Sequence, residues 1–254
     1  MRVGVRVNDP GILERFCPHF PPGWKLESRP TVDLLYSFIH GGADAAGRTR
    51  RFNLLYSDSL RISRTFSLDE ALEAFESDLQ LYVAVGCKDR VFVHAGVVGW
   101  RGRAIVIPGR SLSGKTALVA ELVRAGATYY SDEYAVVDAQ GRVHPYARPL
   151  GIRENGGLEQ KKHQVEEIGG SAGTKPLPVG LVVVTEYRRD GKWRPRALSS
   201  GQATLALLQN TVSARLRPAA ALDTFATVVM QAAALKSPRG EARAVVDSLL
   251  TKLS

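Results

Sequence analysis

Apolar and polar positions change rhythm several times along this chain. Residues 2–7 alternate with the period of a half-buried strand, and residues 33–40, 51–57 and 60–66 share that character. Pro18, Pro21, Pro22 and Gly23 mark an irregular passage after the first strand, and the glycine-rich residues 41–47 read as a flexible connection. The period then lengthens. Leu68, Leu72, Phe75, Leu79 and Tyr82 form one stripe of a helix running to about residue 85, with Ser67 as its N-cap and Asp69 and Glu70 in its first turn.

From Arg90 the texture changes again. Residues 91–98 predict a strand that ends or bends at His94, 99–103 a hairpin turn, and 104–107 a short β-branched strand. A helix over 117–124 stops at Gly126; strands follow at 127–130 and 134–138. The glycine-containing, charged stretch 151–178 reads as a mobile loop, and 181–184 as a buried strand. Helices are expected at 202–212, 219–235 and 238–253, the last capped by Ser237 with Pro238 in its first turn. The chain thus divides into an α+β region, 1–88, without recognisable chemistry, and a second domain, 89–254, with no internal repeat.

Composition narrows the class without deciding it. Forty-four per cent apolar and 23% charged residues over 254 positions are ordinary for a globular chain with a large core. Cys17 and Cys87 are too few for a metal cage or disulfide framework, no apolar leader follows Met1, and no uninterrupted apolar span appears; a soluble, cytoplasmic protein without a membrane partner is expected. The net charge of +9 calls for an anionic partner. Its basic residues lie in dispersed groups, Arg48/Arg50/Arg51, Lys161/Lys162, Arg188/Arg189 and Arg194/Arg196, without interleaved aromatic platforms, which points away from nucleic acid.

One stretch carries specific chemistry. Gly109, Arg110, Ser111, Leu112, Ser113, Gly114, Lys115 and Thr116 satisfy the phosphate-loop (Walker A) pattern G-x-x-x-x-G-K-[ST], with Ala117 opening the helix behind it. Glycines let the main chain approach phosphate oxygens while N–H groups and the helix start face the anion. Lys115 is placed to reach the β- and γ-phosphates of ATP, and Thr116 to offer a hydroxyl to Mg²⁺. Phosphoryl transfer also needs a carboxylate near the accepting hydroxyl. Two sites follow apolar strands, Asp132-Glu133 and Glu186, and periodicity does not choose between them.

Taken together, His94, the loop Gly109 to Thr116 and the element Tyr130-Ser131-Asp132-Glu133 resemble the C-terminal kinase domain of bacterial HPr kinase/phosphorylase, particularly its shorter HPr-kinase-related relatives. His94 precedes Gly109 by fifteen positions and Asp132 follows Lys115 by seventeen, in that family's layout. The resemblance implies an α/β P-loop kinase domain with a mixed sheet, of the kind shared with phosphoenolpyruvate carboxykinase, although no cluster for a metal-bound oxaloacetate is visible. It gives Asp132 the part of orienting an attacking serine hydroxyl and accepting its proton. It makes His94 the group that supports this acid or meets the transferred phosphate, and Glu133, with Thr116, a ligand of Mg²⁺ directly or through water. Arg153, in Gly151-Ile152-Arg153-Glu154, becomes a candidate for stabilising transferred charge, with Glu154 beside it.

The chain departs from the family at Arg110, where the family has an acid, and at Leu112 and Ser113, where it has Gly-x. Residues 1–88 show no likeness to the family's N-terminal domain, which points away from HPr as acceptor. Some relatives phosphorylate a serine of a precursor peptide, and a basic surface suits an acidic peptide. The expectation is an ATP- and Mg²⁺-dependent serine kinase acting on a protein or peptide hydroxyl, with homo-oligomers known in the resembled family. The alternatives are a P-loop ATPase or nucleotide-dependent regulator, and a non-catalytic anion-binding module.

Overall fold

Two segregated sets of apolar residues divide the chain into two units, Met1–Gly86 and Cys87–Ser254. The computed structural model describes residues 1–42, 51–153 and 160–253; most of the expected connection at 41–47 lies outside them. Together the units form a mixed α/β protein with several sheets. Among the described residues no helix is long and apolar enough to cross a membrane.

In the first unit, β1 (Val3–Val7), β2 (Leu34–Ile39), β3 (Asn53–Ser57) and β4 (Leu60–Thr65) form a sheet in that order, parallel between β1 and β2 and antiparallel elsewhere. The helix α1 (Leu68–Gly86) lays the expected stripe on it, burying Leu72, Phe75 and Leu79. Its start is held by the Ser67 hydroxyl, which accepts the Glu70 N–H at 3.3 Å. The passage expected to be irregular includes a 3₁₀ helix, Pro10–His19: the Asp9 carboxylate accepts the Gly11 N–H at 3.0 Å, and Ile12 and Phe16, four apart, turn inward. Phe75 gathers this core, its ring 4.9 Å from Phe16, 4.8 Å from Tyr36 and 5.5 Å from Phe20, all edge-on.

The second unit is built on β5 (Arg90–Trp100) and β6 (Arg103–Pro108), an antiparallel hairpin turned by Arg101 and Gly102 at positive φ. After β6 come α2 (Lys115–Arg124), β7 (Thr128–Ser131), β8 (Tyr134–Asp138) and β9 (Arg142–His144). Then follow β10 (Leu150–Arg153), β11 (Gln160–His163) and β12 (Leu177–Tyr187), then β13 (Arg196–Ala197), α3 (Ser200–Leu208), α4 (Pro218–Gln231), β14 (Ala233–Arg239) and α5 (Val246–Thr251). The large sheet runs β13-β14-β12-β6-β5-β8-β9, and β12 pairs back onto β9 at Leu177 and Pro178. β6, β12 and β14 run parallel; β6 and the middle of β12 are buried on both faces, while β14, one strand from the edge, exposes Ala233, Lys236 and Pro238. Ile105, Ile107, Leu181 and Val183 face α2 and α5, while Ala104, Val106 and Val182 face α3 and α4.

Four expectations fail here for identifiable reasons. β5 does not end at His94; it continues to Trp100 while its partner on one edge changes from β8 to β7. The stretch 151–178 is not simply a loop: β10 and β11 pair antiparallel, a 3₁₀ turn follows at Val165–Ile168, and β12 begins at Leu177. The helix expected over 202–212 ends at Leu208, where the Asn210 and Thr211 side chains bond back to the Ala206 and Leu207 carbonyls. The helices expected over 219–235 and 238–253 are interrupted by β14. Ala233 to Arg239 pair parallel with Leu181 to Tyr187, so Ser237-Pro238 is no helix cap. Pro238 is tolerated because β13 pairs only with Leu235 and Lys236, leaving that edge position without a ladder partner. Tertiary pairing overrides the helix-forming preference of Ala233-Ala234-Leu235.

Phe75→Ala is expected to cost about 3–5 kcal/mol, since it removes the ring around which the first core is arranged. Urea unfolding followed by tryptophan fluorescence measures it, and a loss under about 1 kcal/mol would show that the ring cluster collapses around the gap.

Candidate functional site

The glycine loop begins where β6 ends. Its two glycines are required for different reasons. Gly114 precedes α2 with φ +85°, and a Cβ there would meet the Arg239 Nη2 at 2.6 Å. Gly109 needs space and not an unusual φ, because a Cβ would meet the Ser113 hydroxyl at 2.8 Å. The second left-handed residue of the loop is Leu112, at φ 67° and exposed. Arg110, Ser111 and Ala117 are also exposed at the surface of the loop and helix start.

Lys115 is buried, only 7% exposed, and folds back so that its ammonium donates to the Arg110 carbonyl at 2.8 Å. Burial pushes this amine below the usual lysine range, with the Glu133 and Asp132 carboxylates opposing the shift. One residue on, the Thr116 hydroxyl donates to Asp132 Oδ2 at 2.9 Å. The Tyr129 hydroxyl lies 2.8 Å from Asp132 Oδ1 and 2.9 Å from the Arg148 carbonyl. Burial raises the Asp132 carboxyl above the ordinary range, while the hydrogen bonds from Tyr129 and Thr116 and the charge of Lys115 pull the other way. Glu133 is raised mainly by burial too, with His94, Lys115 and Arg148 lowering it and Asp132 adding to the rise.

His94 spans this acid pair and the loop. Its Nδ1 lies 2.8 Å from the Glu133 carbonyl and 3.7 Å from the Glu133 carboxylate, and its Nε2 is 3.2 Å from the Ser111 hydroxyl. Because a carbonyl can only accept, Nδ1 carries a proton, and in the neutral ring Nε2 accepts from Ser111. The main chain repeats the link: Gly109 N–H donates to the His94 carbonyl at 3.1 Å, and Ala95 N–H to the Glu133 carbonyl at 3.1 Å.

The structure therefore brings His94, the loop, Lys115, Thr116, Asp132 and Glu133 together. Glu186 is exposed and lies 3.3 Å from Arg188, while the next residue of β12, Tyr187, donates its N–H to the Ser113 carbonyl of the loop at 3.1 Å. Arg153 closes β10 opposite Gln160, and Glu154 lies outside the described residues. Among the described residues no three His, Cys, Asp or Glu side chains converge into a metal cage. The hard oxygens of Thr116, Asp132 and Glu133 nonetheless suit Mg²⁺, which takes much of its coordination from phosphate and water.

Two participants escaped the sequence. Tyr129 was legible only as a strand residue; its spacing three before Asp132 was the available signal. Arg239 was hidden by the expected helix. It is 2% exposed, and its Nη2 donates to the Gly114 carbonyl at 2.6 Å and its Nη1 to the Gly240 carbonyl at 2.9 Å. Its Nε has no partner among the described residues, and desolvation lowers its proton affinity. A buried guanidinium held by carbonyls costs more than it returns in stability. Arg239→Met is thus expected to unfold within about 1 kcal/mol of the parent, whereas Arg239→Ala, which opens a cavity, should cost about 3 kcal/mol. Chemical denaturation of the two variants separates an anchor of the loop from mere filling of space. No family model matches the chain, and no curated protein does.

Proposed function

We propose that this chain is an ATP-dependent kinase with an HPr-kinase-like P-loop fold, transferring the γ-phosphoryl group to a serine or other hydroxyl of a protein or peptide. The observation that carries the reading is the 2.9 Å contact between the Thr116 hydroxyl and Asp132, which sets a carboxylate one hydrogen bond from the start of the phosphate-loop helix. A carboxylate there is within reach of both the terminal phosphate and an incoming hydroxyl.

Lys115 exchanges the Arg110 carbonyl for the β- and γ-phosphate oxygens, while the amides of the loop and of the first turn of α2 hold the phosphate chain. Thr116 and Glu133 would hold Mg²⁺, which when bound would offset the negative charge of the phosphates. Asp132, aligned by Tyr129, orients the attacking hydroxyl and takes its proton. His94 steadies the Glu133 turn through Nδ1 and offers Nε2 toward the loop at Ser111. Phosphoryl transfer asks little of the base beyond alignment, so these positions supply most of the catalysis by geometry and charge.

Lys115→Ala is expected to weaken ATP binding at least about tenfold and to reduce turnover. Asp132→Asn should lower turnover by about 10²–10⁴ with ATP affinity changed only a few-fold. Titration calorimetry and ADP release, run with candidate acceptors, measure both; acceptor-independent ADP release that survives Asp132→Asn would overturn the kinase in favour of an ATPase.

The raised Asp132 carboxyl also gives a signed pH effect. Proton acceptance needs the ionised form, so kcat/KM should rise with pH along an acid limb above the ordinary carboxylate range. Tyr129→Phe removes a hydrogen bond that favours ionisation and should move that limb to higher pH. A limb that stays in place would detach Asp132 from the reaction.

A further inference from the structure

The sheet of the first unit has one face under α1 and the opposite face uncovered by any helix of that unit. Leu34, Tyr36, Phe38 and Leu55 point into the core, so by alternation Leu35, Ser37, Ile39, Leu54 and Tyr56 point the other way. Register aligns one row across all four strands. Arg6 pairs with Ser37, Ser37 with Tyr56, and Tyr56 with Arg61. The next row runs Ile39, Leu54 and Arg64.

Charge on this face has one sign. Arg6, Arg61 and Arg64 are exposed, and among the described residues none of them forms an ion pair. Two of them are held in place without neutralisation: Arg6 Nε donates to the Ser37 hydroxyl at 2.7 Å, and the Arg64 guanidinium lies 3.9 Å over the Phe52 ring. Phe52 is itself stacked on Phe66 at 3.9 Å. The carboxylates at the sheet's end are engaged by the main chain, Asp58 by the Leu35 N–H at 3.1 Å and Asp33 by the Arg2 N–H at 2.6 Å. Between Arg6 and Arg61 the floor is Ser37 and Tyr56, and the next row adds the aliphatic Leu54 and Ile39, the latter 43% exposed.

We infer that this face docks an extended acidic peptide, with acidic side chains at positions i and i+4 meeting the Arg6 and Arg61 sides and an apolar side chain at i+2 lying between them. The spacing follows from sheet geometry. Neighbouring strands are about 4.8 Å apart, so Arg6 and Arg61, three strands apart, flank a trough about 14 Å wide. An extended chain rises about 3.3 Å per residue and presents every second side chain to one side, so i, i+2 and i+4 span about 13 Å on a single face. A peptide fits better than nucleic acid. Phe52 is occupied by Phe66 and Arg64, which leaves Tyr56 as a single ring between Arg6 and Arg61, where stacked bases need successive aromatic platforms. This binding is independent of the phosphotransfer reading, since it involves no residue of the second unit.

The test uses the full chain and a fluorescent peptide containing Glu-Ser-Leu-Ser-Glu, its isomer Glu-Leu-Ser-Glu-Ser, and a twelve-nucleotide oligo-dT, with anisotropy as readout. The first peptide should bind, weaken as salt is raised, and exceed its isomer by about tenfold. Arg6→Glu and Arg61→Glu should each weaken it about tenfold, while Arg215→Glu, the same charge change at an exposed site of the second unit, should change it less than about twofold. Circular dichroism confirms that each variant is folded, and Arg61→Gln serves if Arg61→Glu is not. No binding by the peptide, equal loss in Arg215→Glu, or tighter binding of oligo-dT abolished by Arg6→Glu and Arg61→Glu would each overturn the inference.

Discussion

A single strand changing partners is the constraint from which the site follows. On one edge β5 pairs with β8 up to His94 and with β7 from Val97; on the other, from Ala95 onward, it pairs with β6. The turn between β7 and β8 must therefore emerge at the place where β6 gives way to the glycine loop. The main-chain bonds at His94 and Ala95 tie both turns to adjacent residues of the same strand. Asp132 and Glu133 face Lys115 and Thr116 because β5 leaves them no other position.

That arrangement sets opposed charges around a buried ammonium. Lys115 is driven toward its neutral form by burial and toward its charged form by the two carboxylates, and Asp132 and Glu133 experience the converse. The lysine rests on a loop carbonyl and, among the described residues, forms no ion pair with a carboxylate. Arg239 works on the same loop from the other side. Its charge is spent on main-chain oxygens, and it holds the Gly114 carbonyl.

Much of this was legible. The stripe from Leu68 to Tyr82, the hairpin into 104–107 and the loop-to-helix junction follow from local spacing, and the structure contains each of them. What local spacing could not carry was long-range pairing. Ala233 to Lys236 are good helix formers followed by a capping pair, Ser237-Pro238, and only β12 alongside makes the segment a strand; with that error went Arg239 and its contact to Gly114, 125 residues away. Periodicity was silent on Asp132 and Glu186 too, and strand order alone does not choose, since β12 pairs directly with β6 while β7 pairs with β5; what joins Asp132 to the loop is its bond from Thr116. His94 illustrates the intermediate case: the sequence marked it, but its tautomer and its two partners required coordinates.

The outer margin of the large sheet has a consequence of its own. β13 pairs with only two residues of β14, but the chain flanking it adds the Leu198 N–H to the Ala234 carbonyl at 2.9 Å and the Arg194 N–H to the Ser237 hydroxyl at 2.8 Å, so the ladder along that edge is short and partly covered. Pro238 withholds a donor within that ladder, and exposed Lys236 sets a hydrated cation beside it. Together they act as gatekeepers, discouraging edge-to-edge stacking between copies at the cost of two positions that could have added to the sheet.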